Sequence, residues 1–536
     1  MKIAIAQINC TVGDLAGNTE KILAATEQAK LAGADLVITP ELALCGYPPQ
    51  DLLLRTEFYL ACGEALTDLV GQVKDITLLV GHPQHQGNQL FNAASLVRDG
   101  EIIATHHKQT LLPSPFFNEP NYFDAGTEPS AFVLNGVTFG VNICADFWQG
   151  ETTHLTQQAN IDVLLVLSAS PFLIDKQATR HKITQQYVSC TKTAVVHTNL
   201  VGGQDEIVFD GASFVMNGQG VLTHQLPSFT ETIGLVEIQD KQPIATELAP
   251  IQPAIADIYR ALCLGVKDYV KKNCFPGVLI GLSGGVDSAL VLIIAADALG
   301  ADMVRTVMMP SQYTADMSLD DAETMADTLS VQHDECSIKP LFDQYVSMLT
   351  QQFHILSDNE DTNITTENLQ ARIRGSILMA LSNRTGAMVL TTGNKSEMAV
   401  GYCTLYGDMA GGFAVLKDVS KTLVYQLCRY RNELDSVIPE RIIERLPTAE
   451  LRPDQTDQDS LPDYDVLDGI IKAYVEDNKS TAEIVAMHYD EADVKQVIRL
   501  IQLNEHKRYQ SPPGIRITRC DFGTLWHYPI TTKFTN

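Results

Sequence analysis

Residues 281–288 read Gly-Leu-Ser-Gly-Gly-Val-Asp-Ser and join an apolar, strand-like run (Gly277 to Ile280) to a helix-like run (Ala289 to Leu299). A glycine-rich turn in that position commits the stretch to an open α/β layer. It aims backbone N–H groups past the strand end, at the positive end of a helix dipole. Gly281, Gly284 and Gly285 let the backbone close on an anion, Leu282 and Val286 continue the apolar runs, and Ser283 and Ser288 add hydroxyl donors. A Walker loop carries a lysine for the β- and γ-phosphates, and here that position is not lysine. Asp287 instead places a carboxylate beside the phosphates, where a divalent ion such as Mg²⁺ bridges the two. The pattern predicts a cradle for pyrophosphate leaving from ATP attacked at its α-phosphorus. The bland alternative is an ordinary turn before a helix.

A chain of 536 residues is too long for one core, so two or three domains are expected. Its formal net charge of −27 argues against a general nucleic-acid or anionic-membrane binder, both of which need a basic face. No apolar stretch approaches the roughly 18–20 residues of a membrane span, and Lys2 to Ile8 reads as a strand rather than a secretory leader. The 11 cysteines include no CxxC pair, which fits free thiols in a reducing cytoplasm. The 13 histidines show no paired ligand spacing, so zinc is not expected.

Short strand-like and helix-like segments alternate through the first 240 or so residues. Ala34 to Thr39 ends at Pro40 and Glu41; Ile76 to Gly81, Val137 to Cys144 and Val163 to Ser168 are further apolar runs of buried-strand type. Gln239 to Pro253 reads as an exposed linker, dividing the chain into residues 1–245 and 246–536, and a helix is expected from Ala254 to Lys272. Beyond the phosphate loop, Ala387 to Thr392 reads as a strand, and the chain becomes mostly helical after Ser420. Leu356 to Thr366 and Ala449 to Tyr464 read as loops.

In the first half Glu41, Lys108 and Cys144 stand at the ends of strand-like runs, where they can share one site. A thiol attacks as thiolate, so it needs a base and a nearby positive charge. Glu41 is the candidate base, Lys108 the oxyanion stabiliser, and Glu119 the group that orients Lys108 or shuttles the proton. Taken singly, a strand-end cysteine is more often a small buried hydrophobe, and a lone lysine a solvated charge. The surrounding words change that balance. Residues 38–54, Lys108-Gln109 and Val141 to Trp148 resemble the nitrilase superfamily, whose Glu-Lys-Cys triad cleaves carbon–nitrogen bonds on a four-layer α-β-β-α sandwich. The resemblance covers roughly residues 1–240 and departs at Ala145, where many relatives carry Glu, and at Leu111 to Ser114. It implies glutamine contacts from Ser114, Ser170 and Lys176.

In the second half Thr391 to Asn394 is turn chemistry at a strand end, the place where ligands bind in an open α/β sheet. Thr392 is thus placed for nucleotide, and Glu397, a hard oxygen ligand, for sharing Mg²⁺ with Asp287. Ser283 to Ser288, Glu367 to Arg372, Thr392 to Glu397, Leu446 to Pro453 and Glu505 to Arg508 together resemble the NAD synthetase family over roughly residues 255–515. The resemblance implies a doubly wound parallel-sheet domain of the ATP-pyrophosphatase type. In it the loop 281–288, Thr392 and Lys421 bind ATP, Asp287 and Glu397 hold Mg²⁺, and Asn368, Glu397, His506 and Lys507 line a deamido-NAD site. Lys421, ending a loop that begins at Gly411, is expected to close over the phosphates. Leu405 stands where ammonia-only relatives often carry Lys, so that contact is not transferred.

Together the two resemblances imply a carbon–nitrogen ligase. Its first half frees ammonia from L-glutamine, and its second adenylates deamido-NAD⁺ with ATP and amidates it, releasing AMP and pyrophosphate. They also imply self-association through the second half. Two other readings stay open: another ATP-pyrophosphatase amidotransferase, acting on a purine nucleotide or on tRNA, and a non-catalytic binding protein with a degenerate nitrilase domain.

Overall fold

The computed structural model describes residues 1–148, 161–353, 364–453 and 455–533. The chain divides into two compact units, Met1–Asp257 and Ile258–Asn536.

The first unit holds two facing sheets. One has seven strands in the order Gln242–Pro243, Thr232–Gln239, Lys2–Gln7, Leu36–Ile38, Thr77–Gln86, Gln89–Arg98 and Glu101–His107. The other has six, in the order Leu222–Gln225, Phe214–Met216, Ala194–Asn199, Val163–Ser168, Val137–Ile143 and Ser130–Leu134. Parallel pairs occupy the middle of each sheet and antiparallel pairs the flanks. Side chains alternate across each strand. Ile3, Ile5, Ile38 and Leu79 meet Phe139, Val141, Leu165 and Val196 between the sheets. Ala4, Ala6, Val37 and Leu78 turn outward onto Ile22 and Ala25 of helix Leu15–Leu31 and onto Leu66 and Leu69 of helix Thr56–Gln72. Leu164, Val166 and Val195 cover Tyr187 and Val188 of helix Lys176–Thr191. The result is the expected α-β-β-α sandwich. With both faces covered, the central strands read as unbroken apolar runs.

The second unit is built on five parallel strands in the order Gln332–Glu335, Val304–Met308, Val278–Gly281, Met388–Thr391 and Phe413–Ala414. By position in the sequence this is the order 3-2-1-4-5, which reverses between Val278–Gly281 and Met388–Thr391 and so opens a ligand crevice beyond their carboxyl ends. Helix Val286–Leu299 is buried over most of its length, from Val286 through Ala295. A separate apolar cluster gathers Met398, Leu467, Ile470, Val497 and Phe522. Among the described residues no helix is long and apolar enough to cross a membrane.

Two segments differ from expectation. The stretch from Gln239 does not begin as a linker: Gln239 pairs with Gln242 across Asp240 and Lys241, whose φ values of 49° and 66° make a two-residue hairpin turn. Regular structure lapses only over 244–253, and the helix Ala254–Lys272 follows as expected. Of the loop expected from Leu356 to Thr366, residues 356–363 lie outside the described residues, and 364–366 open the helix Ile364–Thr385.

Candidate active sites

In the first unit three strand ends converge on one buried cation. Glu41 follows Leu36–Ile38, Lys108 follows Glu101–His107, and Cys144 follows Val137–Ile143. Lys108 Nζ donates to Glu41 Oε1 at 2.6 Å and to Glu119 Oε1 and Oε2 at 2.6 and 2.8 Å, with all three side chains inaccessible to solvent. Asn92 Nδ2 donates to both carboxylates, at 2.9 and 3.1 Å. The Ala169 N–H donates to Glu41 Oε2 at 3.1 Å and the Leu112 N–H to Glu119 Oε2 at 2.9 Å. Burial works against the charge on Lys108, and the two carboxylates more than reverse it, holding the ammonium above its usual range. Burial pushes Glu41 above the ordinary carboxylate value; Lys108 opposes that rise and Glu119 adds to it.

Cys144 is 6 % exposed and stands at φ 43°, in the left-handed region, between its strand and the short helix Ala145–Trp148. Its N–H donates to Leu167 O at 2.8 Å. Burial first, and then the Glu41 carboxylate, push its thiol up to about 12, with Lys108 pulling the other way. A neutral thiol therefore lies beside the Glu41 carboxyl and a fixed cation. Such a set can take a proton from sulfur during attack on an amide carbon and meet the charge that develops on its oxygen.

The residues expected to hold glutamine are placed less uniformly. Ser170 follows Ala169, so its backbone lies beside the base. Its hydroxyl, however, accepts from Arg180 Nε at 3.2 Å, and Arg180 is itself anchored on Asp210 at 2.7 Å. Ser114 sits in a two-residue strand paired with Phe117–Asn118, and Lys176 is the first residue of helix Lys176–Thr191. Asn92 and the Ala169 N–H, which hold the carboxylates, carry no signal in the sequence.

In the second unit the loop 281–288 folds as a strand–turn–helix. Gly284 has φ 76° and packs against Ser318, where an added Cβ would lie 2.4 Å from the carbonyl oxygen. The Ser283 N–H donates to Ser288 Oγ at 3.2 Å, Ser288 Oγ donates to Gly285 O at 2.9 Å, and the Gly285 N–H donates to Ser283 Oγ at 3.3 Å. The loop lines a cavity of about 420 Å³ together with Thr392, Asn368, Glu397, Lys421 and Lys507. Lys507 Nζ donates to Gly401 O at 2.6 Å and Cys403 O at 2.9 Å, and Asn368 Oδ1 accepts from Thr404 Oγ1 at 2.8 Å. His506 is not among the lining residues: it is exposed and its ring bonds Leu503 O at 3.1 Å.

Lys421 is not in a loop. It is the first residue of helix Lys421–Leu434, and its Nζ meets Asp287 Oδ2 at 2.5 Å and Glu397 Oε1 at 3.4 Å. Asn394 donates to Asp287 Oδ1 at 2.9 Å and caps the helix Lys395–Val400 that carries Glu397. Burial and then the neighbouring Asp287 push Glu397 up to about 8, against the pull of Lys421. Among the described residues no group of three or more His, Cys, Asp and Glu side chains is arranged to hold a metal alone. Asp287 and Glu397 do present hard oxygens to one cation, a donor set that fits Mg²⁺ when phosphate oxygens complete it.

Residues 2–245 match the carbon-nitrogen hydrolase family model and residues 258–511 the NAD synthase model. The glutamine-dependent NAD(+) synthetase of Acinetobacter baylyi is 44% identical over 99% of this chain and 98% of its own, and that of Thermotoga maritima 39% over 100% and 99%. The structure of the Acinetobacter baumannii glutamine-dependent NAD+ synthetase in complex with ADP aligns with a TM-score of 0.80 at 42% identity, covering 99% of this chain and 98% of that one. The Cytophaga hutchinsonii enzyme shares the fold at a TM-score of 0.85 and 23% identity, over 99% and 98%. With both halves matched in order and relatives aligned from end to end, the chain belongs to the glutamine-dependent NAD(+) synthetases.

Proposed function

We propose that a glutaminase over residues 1–245, within the first unit, supplies ammonia to a synthetase over residues 246–536 that converts deamido-NAD⁺ to NAD⁺. In the first site Glu41 takes the Cys144 proton as sulfur adds to the glutamine amide carbon, and Lys108 faces the developing oxyanion. Ammonia departs with the proton that Glu41 returns. Water, deprotonated by the same carboxylate, then cleaves the glutamyl thioester. Glu119 keeps Lys108 charged and in place. Ser170, Lys176 and Ser114 are assigned to the amino-acid end of glutamine.

In the second site the loop 281–288, Thr392 and Lys421 hold ATP, while Asn368, Glu397 and Lys507, which line the same cavity, hold deamido-NAD⁺; His506, outside that lining, is not given a contact there. The nicotinate carboxylate attacks the α-phosphorus, pyrophosphate leaves, and ammonia displaces AMP. Magnesium held by Asp287 and Glu397 would neutralise charge on the departing pyrophosphate. The reading includes a cytoplasmic enzyme that self-associates through the second unit, a state that sedimentation velocity tests.

The observation that carries the reading is the cavity lined by both the phosphate loop and Asn368, Glu397 and Lys507, which brings the residues expected to bind nucleotide and dinucleotide to one place. NAD⁺ formation from deamido-NAD⁺ and ATP, with glutamine or with ammonium chloride, tests it. Cys144→Ala is expected to lose the glutamine-supported rate and keep the ammonium-supported one, and Asp287→Ala to lose both. Wild-type protein that makes neither AMP nor NAD⁺ from ample ammonia would end the reading.

A further inference from the structure

We propose that Asp146 is a positioning residue of the glutamine-hydrolysing site, fastening the backbones that carry Lys108 and Cys144 to one buried carboxylate. The inference rests on the glutaminase reading of that site and adds a residue to it.

Asp146 is 1 % exposed and its two oxygens divide the work. Oδ1 accepts from the N–H groups of Gln109 at 2.9 Å and Thr110 at 2.7 Å, immediately after Lys108. Oδ2 accepts from the Ile143 N–H at 3.1 Å, immediately before Cys144, and meets His106 Nε2, two residues before Lys108, at 3.1 Å. These four partners lie within two positions of Lys108 or Cys144. The remaining backbone groups of the Lys108 segment are tied elsewhere: its N–H donates to Asn92 O and its carbonyl accepts from Gly126, both at 2.8 Å. Asp146 is therefore the link that sets the lysine strand end against the cysteine turn.

The same carboxylate explains how Cys144 keeps its left-handed conformation. The chain closes from Ile143 N–H to the Asp146 side chain across the cysteine, while the Phe147 N–H donates to Cys144 O at 3.0 Å. A left-handed non-glycine residue persists where its surroundings over-determine it. A carboxylate is needed because every one of these contacts can be served by an acceptor, and an amide has only one acceptor oxygen. In Asp146→Asn an NH₂ group would face either Gln109 and Thr110 or Ile143 and His106, forcing one backbone away from the other.

The test measures steady-state glutamine hydrolysis, the burst of glutamyl thioester by intact mass, and ammonium-supported NAD⁺ formation, on the full chain. Asp146→Asn is expected to lower kcat for glutamine about a hundredfold, the effect of roughly 1 Å of misplacement, to slow the burst to match, and to leave KM for glutamine and the ammonium-supported rate near wild type. A glutamine kcat within threefold of wild type, or a loss confined to KM, would overturn the role. If Asp146→Asn does not fold, His106→Leu decides. It removes one of four donors and should cost roughly tenfold in glutamine kcat, while His106→Gln, which keeps an N–H, should stay near wild type; equal rates in both would overturn the role. Wild-type protein without glutaminase activity would remove the underlying reading instead.

Discussion

At Cys144 burial pushes the thiol up to about 12, so in the proposed mechanism sulfur is not stored as thiolate and its proton passes to Glu41 during attack. As the proposed base Glu41 has to be a carboxylate, and burial raises it above the ordinary carboxylate value. Glutamine kcat/KM is therefore expected to climb with pH along an acid limb that lies above the ordinary carboxylate range. Glu41→Gln should flatten that limb and lower the rate by about 10²–10⁴; a limb that survives the substitution would assign it to another group. Glu41 and Cys144 were conspicuous as polar residues closing apolar runs, whereas Lys108 follows Thr105, His106 and His107 and was picked out by the resemblance of the words around it. Asn92 was not legible, since a mid-strand amide looks like any other polar residue until two carboxylates from distant segments are seen to share its Nδ2. Ala169 contributes only its N–H, which side-chain chemistry cannot advertise.

Among the elements, the glycine loop shows how a local pattern meets a distant constraint. Gly284 is left-handed, and a methyl there would strike Ser318 O, on a helix that begins 32 residues later at Asp316. Gly284→Ala is expected to destabilise the second unit by about 2 kcal/mol and to weaken ATP binding, as read from urea midpoints and calorimetric titration; unchanged values in both would show that the loop yields. The turn itself could be read from composition, but its neighbour could not. Helical structure is expected after Ser420 and is found, but Lys421 opens the helix Lys421–Leu434 instead of ending the loop before it. Ser420 makes no side-chain cap, and the first N–H groups are taken instead by Ser396 Oγ at 2.9 Å and Asp468 Oδ2 at 2.8 Å. A helix start capped by other segments carries no local start signal.

On the scale of the whole molecule, each unit has its own apolar cores and its own tryptophan, Trp148 in the first and Trp526 in the second. Lys108→Met would leave Glu41 and Glu119 buried without their shared cation, a loss worth about 3–5 kcal/mol. With Trp526→Phe as background, this substitution should lower the guanidinium midpoint followed by fluorescence; with Trp148→Phe it should leave the midpoint unmoved. Equal shifts would mean that the units unfold as one. The alternation of strands and helices made the α/β class legible, whereas the strand order 3-2-1-4-5 depends on pairings between distant segments. What composition hid was the hairpin at Asp240 and Lys241, where left-handed turn residues looked like linker. The depth of Cys144 has a practical side. Cys190, Cys274 and Cys336 are exposed, so a bulky disulfide dye is expected to stain the surface and pass over Cys144, and only electrophiles small enough to imitate an amide will count as labels of the proposed site.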